Sequence, residues 1–457
     1  MRQHHPFFIL GTILLSLILG AAARAQDSGA CGPPAKRALV LSGGGLKGAF
    51  QAGAVYHLVV HRGCDFHEFA GVSVGSLNAV ILAQAPRDAD PEVSLHNLAE
   101  RAEHLVRLWE SIQSPKQVLK PRWPGWKWAL FFRFGFFGTE NLYSFDPLMK
   151  LIRENVDVDA LAEKGRPVRV GSASFWDGTY REIGPTARFP NNDRQYFLQY
   201  VFASTLIPVV GKMPRIPQAD DDADPRHWLQ FGDGGLLHNT PILPYFHKCP
   251  PDEPPTAQKG HCRDWFRAGT PPPLEVEQLF VVITGPYSRH EDTYPIQQNL
   301  LAKGTKQVTD GRKVLYRTLD IVLESAYRGD LNLMSAANDF LEWRRKYYES
   351  TKALLQPEQR EQFEKLFAQL NQDFPVNSYN PASAGDWSLP YRLGMVMPDQ
   401  AYSGTLEVNP KNIAEQFYRG CLAAAAMMQA QFRLPPMKEK CEERFPQPPP
   451  ESAKANK

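Results

Sequence analysis

Residues 38–48 read ALVLSGGGLKG, and residues 69–75 read FAGVSVG. Ala38–Leu41 is a short uninterrupted apolar run, the pattern of a strand buried on both faces. The glycines after it break the strand. Leu46–Val60 then has helical spacing, with small residues at Gly48, Ala52 and Gly53, and His61-Arg62-Gly63 closes it. Phe69–Ser73 is a second apolar strand, and Val74–Ala85 a second helix. Strand, helix, strand, helix at this spacing predicts an α/β fold with a parallel sheet and right-handed crossovers. Further strands are predicted at Val168–Ser172, Trp228–Gly232, Leu279–Thr284 and Leu393–Met397. A charged, helical stretch over 297–370 separates the last two.

Both glycine-flanked turns carry chemistry. Glycines between a strand and a helix expose consecutive N–H groups at the positive end of the helix, which suits negative charge. Three sites share that feature. A dinucleotide site wants an acidic residue ending the next strand, and Ser73 stands there. A phosphate loop wants Gly-Lys-Ser/Thr, and here the order is Lys47-Gly48-Ala49. An oxyanion hole remains, beside a purely structural turn. Gly71-Val72-Ser73-Val74-Gly75 decides, because GxSxG at a strand-to-helix junction is the setting of a nucleophile elbow. A late histidine would complete a triad, but the last of the 12 histidines is His290. The alternative base is Asp233, in Phe231-Gly232-Asp233-Gly234-Gly235, at the end of a predicted strand.

GGGLKG, GVSVG and DGG in this order resemble the patatin-like phospholipase family. Val201–Pro208 (VFASTLIP) resembles the family segment before the aspartate, and Leu237–Ile242 (LHNTPI) the one after it, with His238 where Asn is more usual. The resemblance runs from Lys36 to Pro244. A weaker one over Leu406–Ala424 looks like a closing strand and helix, and 297–370 has no counterpart. It implies a patatin-like three-layer α/β/α sandwich with a mainly parallel central sheet and a helical insertion. It implies a Ser73–Asp233 dyad and an oxyanion hole from Gly43, Gly44 and Gly45. Gly48, Gly71, Gly75, Gly234 and Gly235 are motif glycines, and Lys47 is a charge near the lipid head group. No metal or cofactor is implied. The implied substrate is a lipid or other acyl ester. An acyltransferase with the same dyad, or a silent lipid-binding protein on the same fold, are the rival classes.

The 457 residues are 43% hydrophobic and 22% charged, which excludes a disordered, collagen-like or polytopic membrane chain. Arg2, the apolar run Phe7–Gly20 and Ala23-Arg24-Ala25 read as an export signal cleaved after Ala25, with an uncleaved anchor as the rival. The net charge is +2; without Arg2 and Arg24 the signs balance at 49 each, so nucleic acid is not an expected partner. Export makes the cysteines readable as disulfides. Sequence neighbours pair as Cys31–Cys64, Cys249–Cys262 and Cys421–Cys441, and the first pair precedes two strands expected side by side. The protein is expected in the periplasm, outside the cell or at the envelope. The expected divisions are a signal peptide (1–25), a catalytic core (36–247), a Pro-rich loop and core strand (248–290), a helical insertion (291–390), a closing strand and helix (391–433) and a disordered Pro-rich tail (434–457).

Three other features invite a function. Residues 122–138 (RWPGWKWALFFRFGFFG) hold Trp123, Trp126, Trp128, Phe131, Phe132, Phe134, Phe136 and Phe137 among Arg122, Lys127 and Arg133. They suit either a membrane interface or an apolar pocket. Asp220, Asp221, Asp222 and Asp224 lack the spacing of a calcium loop and read as a solvated turn. His57 and His61, four apart on one helix face, allow a metal pair but read as surface histidines.

Overall fold

The computed structural model describes residues 31, 35–122, 141–217, 224, 226–246, 270, 274, 276–287, 311–372, 392–399 and 409–447. The expected signal peptide, the aromatic run 123–138, Asp220–Asp222, Cys249, Cys262 and the last ten residues lie outside them.

The sheet is built from β1 (Arg37–Leu41), β2 (Glu68–Val72), β3 (Val168–Ser174), β4 (Tyr180–Ile183), β5 (Arg215–Ile216), β6 (Leu229–Asp233), β7 (Gln278–Val282) and β8 (Arg392–Val396). The order β8-β7-β1-β2-β3 is parallel throughout. β4 and β6 run antiparallel to β3, and β5 runs antiparallel to β6. The two sides of the sheet follow from the period of two along a strand. In β1, Leu39 and Leu41 enter one apolar cluster while Ala38 and Val40 enter the other. Both faces are covered, so the strands read as continuous apolar runs. The result is the expected three-layer α/β/α arrangement with a mostly parallel sheet.

One face carries α1 (Gly48–Tyr56), α2 (Val74–Ala83), α3 (Pro91–Glu110), α4 (Asp146–Asn155), α5 (Val158–Lys164), α6 (Gln195–Ser204) and, after the last strand, α10 (Pro410–Phe432) and α11 (Lys438–Arg444). The short α7 (Leu243–Phe246) and the long α8 (Gly311–Leu354) pack on the other, through Tyr245, Tyr327, Leu331 and Met334. α9 (Pro357–Gln372) follows α8. Among the described residues no helix is long and apolar enough to cross a membrane.

Two expectations need correction. The stretch 434–457 is not a disordered tail throughout. Residues 438–444 form α11, Cys441 is disulfide-bonded to Cys421, and the Phe445 ring stacks on Phe417. These contacts outweigh the polar composition that suggested disorder. Nor are His57 and His61 surface residues. α1 runs on through a π-helical turn, His57–His61, that seats His57 fully inside and His61 half-buried against α10. Burial lowers the His57 pKa to about 3 and that of His61 to about 4, so both rings are neutral near pH 7. The disulfides Cys31–Cys64 and Cys421–Cys441 are present as expected. The first lies ahead of β1 and β2, which pair directly.

Candidate functional site

Ser73 follows β2 and caps α2 at φ 54° and ψ −128°, a conformation that L-residues avoid. Its neighbours explain how the turn is held. A Cβ on Gly71 would meet the Gly75 carbonyl oxygen at 2.2 Å, and one on Gly75 would meet the Leu41 carbonyl oxygen at 2.2 Å. Only glycine allows α2 to come so close to β2 and β1. The positive end of α2 then faces the Ser73 hydroxyl, which favours negative charge there.

Strand register brings Asp233 to that hydroxyl. β2 and β4 both pair with β3 at Val170 and Gly171, so they lie on opposite edges of it. β4 and β6 both pair with β3 at Ser172 and Ala173, so they too lie on opposite edges. β2 and β6 therefore share one edge and meet head to head. β2 stops at Val72, opposite Gly171, and Asp233 of β6 sits opposite Ser172. Ser204, at the end of α6, bridges the junction: its hydroxyl donates to the Gly171 carbonyl at 2.6 Å and accepts from Ser73 N–H at 2.9 Å.

The Asp233 carboxylate is buried. Oδ1 accepts from Gly235 N–H at 2.8 Å. The Ser73 hydroxyl is near enough to the carboxylate to favour its charged form, while Oδ2 has no hydrogen-bond partner among the described residues. Burial outweighs the influence of Ser73 and of Gly235 N–H and pushes the carboxyl up to about 7. A carboxylate with that proton affinity, beside a hydroxyl, is matched to taking a proton near neutral pH.

Opposite lies the glycine loop. The expected trio of donors reduces to two, because Gly43 N–H already donates to the Asn239 carbonyl at 2.9 Å. The Gly43 carbonyl accepts from Thr284 Oγ1 at 2.6 Å and from Ser42 Oγ at 3.0 Å. The peptide is trans, so Gly44 N–H points the opposite way. Lys47 N–H holds the Gly44 carbonyl, and Gly45 N–H is turned away from it in the same manner. Neither Gly44 nor Gly45 N–H has a hydrogen-bond acceptor among the described residues. Gly48 lets α1 approach Trp109 and Val74, and Gly234 and Gly235 form the turn after Asp233.

Sequence reading missed the supports. Asp330 on α8 is buried; it accepts from Thr240 N–H at 2.9 Å and pairs with His238 Nδ1 at 2.8 Å. It thereby fixes the loop whose Asn239 carbonyl holds Gly43. Thr284 and Ser204 are single polar residues at element ends and carry no local signal. The quoted segment VFASTLIP contains Ser204, so its position, though not its task, was visible.

A cleft opens beside Ser73 and Gly45. Its wall is apolar: Leu77, Ile81, Leu105, Trp109, Phe145 and Leu148 are among its lining residues. Trp109 Nε1 donates to Asn78, Asn78 donates to Gln51, and Gln51 donates to the Ser42 carbonyl. The wall and the glycine loop are thus tied by one buried polar chain.

Residues 39–245 match the family model described as patatin-like phospholipase. The chain carries a patatin-like phospholipase domain. That domain spans β1 to α7 and includes the elbow, the glycine loop and Asp233. Two solved structures show a distant likeness. VipD from Legionella pneumophila is 12% identical, with 88% of this chain and 68% of that one covered and a TM-score of 0.32. Human GIVD cytosolic phospholipase A2, in complex with methyl gamma-linolenyl fluorophosphonate, is 12% identical, with 61% and 45% covered and a TM-score of 0.23. No curated protein matches the chain.

Proposed function

We propose that this protein hydrolyses carboxylic ester bonds of lipids, as a phospholipase A or lysophospholipase, with Ser73 as nucleophile and Asp233 as its base. The reading rests chiefly on one observation: the strained Ser73 elbow and the buried, proton-hungry Asp233 carboxylate meet at the end of an apolar cleft. Ser73 Oγ attacks the acyl carbonyl carbon while Asp233 accepts the hydroxyl proton. Gly44 and Gly45 N–H groups bind the oxyanion, and the positive end of α2 adds to that field. The proton passes from Asp233 to the departing alcohol as the tetrahedral intermediate collapses. Water then attacks the acyl carbon as one of its protons passes to Asp233, and collapse breaks the bond to Ser73 Oγ, which takes that proton back as the fatty acid leaves. The apolar cleft holds the acyl chain. No step needs a metal or cofactor.

The two disulfides, Cys31–Cys64 and Cys421–Cys441, support action in an oxidising compartment, in keeping with the export signal expected from residues 1–25. The test is a fluorophosphonate probe followed by a phospholipid panel. Wild type should label and release fatty acid; Ser73→Ala should do neither, and Asp233→Asn should label far more slowly. Labelling that survives Ser73→Ala would refute the assignment. Product analysis with an added alcohol acceptor identifies an acyltransferase if acyl ester replaces free acid.

A further inference from the structure

Far along α1 from the glycine loop, four side chains converge that the proposed chemistry does not use. His57 and His61 come from the π-helical turn, Cys421 from α10 and Cys441 from α11, and their ligand atoms all lie within 4.8 Å of one another. His57 Nδ1 and His61 Nδ1 are 3.3 Å apart. Cys441 Sγ is 3.4 Å and Cys421 Sγ 3.7 Å from His57 Nδ1, and Cys421 Sγ is 4.0 Å from His61 Nδ1.

Zinc bound by two imidazoles and two thiolates has bonds of about 2.0 Å to nitrogen and about 2.3 Å to sulfur. A tetrahedron with those bonds has edges of about 3.3 Å between nitrogens, about 3.5 Å between nitrogen and sulfur and about 3.8 Å between sulfurs. The nitrogen–nitrogen edge is already in place and three of the four nitrogen–sulfur edges are within about half an ångström, while the two sulfurs, bonded to each other, must part to reach theirs. In the disulfide form His57 Nδ1–H can donate to His61 Nδ1 at 3.3 Å, and the two sulfurs, weak acceptors, add little to the pair. A π-helical turn is also rare and is frequently found at functional sites.

We propose that, with Cys421 and Cys441 reduced, His57, His61, Cys421 and Cys441 form a closed Cys2His2 site for a zinc ion, of which the disulfide is the metal-free, oxidised form. The conversion balances with a dithiol as reductant. The dithiol gives two electrons and two protons to the Cys421–Cys441 bond and becomes a disulfide itself. Zinc binds the two sulfurs as thiolates, and their two protons go to solvent. Two thiolates cancel the charge of the ion, so a neutral unit sits in the buried site. One local group must yield. Arg62 Nε donates to His57 Nε2 at 3.4 Å, which puts the ring proton on Nδ1; metal binding moves that proton to Nε2 and turns Arg62 away.

The test uses the full chain, reduced with a dithiol under anaerobic conditions and titrated with cobalt(II). One equivalent should bind with the strong visible bands of tetrahedral cobalt and a thiolate charge-transfer band, and one equivalent of zinc should displace it. The oxidised chain should show neither band. Cys31→Ser with Cys64→Ser should keep the signal, and Cys421→Ser with Cys441→Ser should lose it. His61→Gln, at the half-buried position, should weaken cobalt binding at least tenfold while circular dichroism stays unchanged. The proposal is overturned if the reduced wild type gives only the pale spectrum of octahedral cobalt. It is equally overturned if His61→Gln, folded, binds as tightly and with the same spectrum.

Discussion

The Asp233 carboxyl should leave two marks in one pH window, one on rate and one on stability. Its pKa rises from 3.8 to about 7, chiefly through burial. At about 1.4 kcal/mol per unit, ionising this group costs the folded state about 4 kcal/mol, an upper limit if water enters the site. Below pH 4 the carboxyl is protonated whether the chain is folded or not, and there is no cost. From pH 4 to 7 the unfolded chain ionises while the folded one keeps its proton, so stability falls as pH rises. Above pH 7 the cost is complete. Asp233→Asn keeps an acceptor for Gly235 N–H and removes the titration. Its stability relative to wild type, from urea unfolding at each pH, should therefore climb by up to about 4 kcal/mol between pH 4 and 8. Over the same window wild-type kcat/KM on a soluble ester should rise tenfold per pH unit and level near pH 7, standing at about 1% of its plateau at pH 5. A rate flat down to pH 5, with a stability difference flat across the range, would refute the base assignment.

Other perturbations read the rest of the site. Thr284→Val removes the hydroxyl that holds the Gly43 carbonyl; kcat should fall toward the ~10²–10³ worth of one oxyanion donor with little change in KM, and Thr284→Ser should restore it. Gly75→Ala drives a Cβ to 2.2 Å from the Leu41 carbonyl oxygen and should cost about 3 kcal/mol in thermal or chemical unfolding, with loss of probe labelling. If the apolar cleft takes the acyl chain, each added methylene should raise kcat/KM by about fourfold, from ~0.8 kcal/mol each, until the cleft is full; Leu105→Trp should move that limit to shorter esters.

Sequence carried the first half of this site and little of the second, for a physical reason. The glycine loop and the elbow are local devices: each joins one strand to the next helix, so glycine spacing and strand pattern declare them. The partnership of Ser73 with Asp233 depends on β6 entering the edge that β2 vacates, antiparallel, and strand direction leaves no trace in a five-residue run. The supports are further removed. Thr284 reaches Gly43, and Asp330 reaches the loop after Asp233, each across the sheet or from the long helix. His57 and His61 show the same limit in reverse. Their spacing was plain, but the two cysteines that bury them arrive some 360 residues later.

The two ends of α1 should be mechanically independent, although one helix joins the glycine loop to the His–Cys cluster. α1 packs on α10 backbone to backbone: a Cβ on Gly53 would meet the Phe417 carbonyl oxygen at 2.2 Å, and one on Gly420 would meet the Phe50 carbonyl oxygen at 1.9 Å. So close an approach has no side-chain layer to deform, and a helix clamped there cannot slide without breaking the packing of its middle. A change at Cys421 and Cys441 should therefore alter how firmly α10 and α11 are held, not where Gly44 and Gly45 point. Zinc-loaded, disulfide-bonded and Cys421→Ser/Cys441→Ser forms are expected to share kcat on a soluble ester within about twofold. Their thermal midpoints should differ, lowest for the serine variant, since removing a cross-link of this loop size costs about 3 kcal/mol. A tenfold difference in kcat among the folded forms would show that the packing transmits strain, and the clamp argument would be wrong.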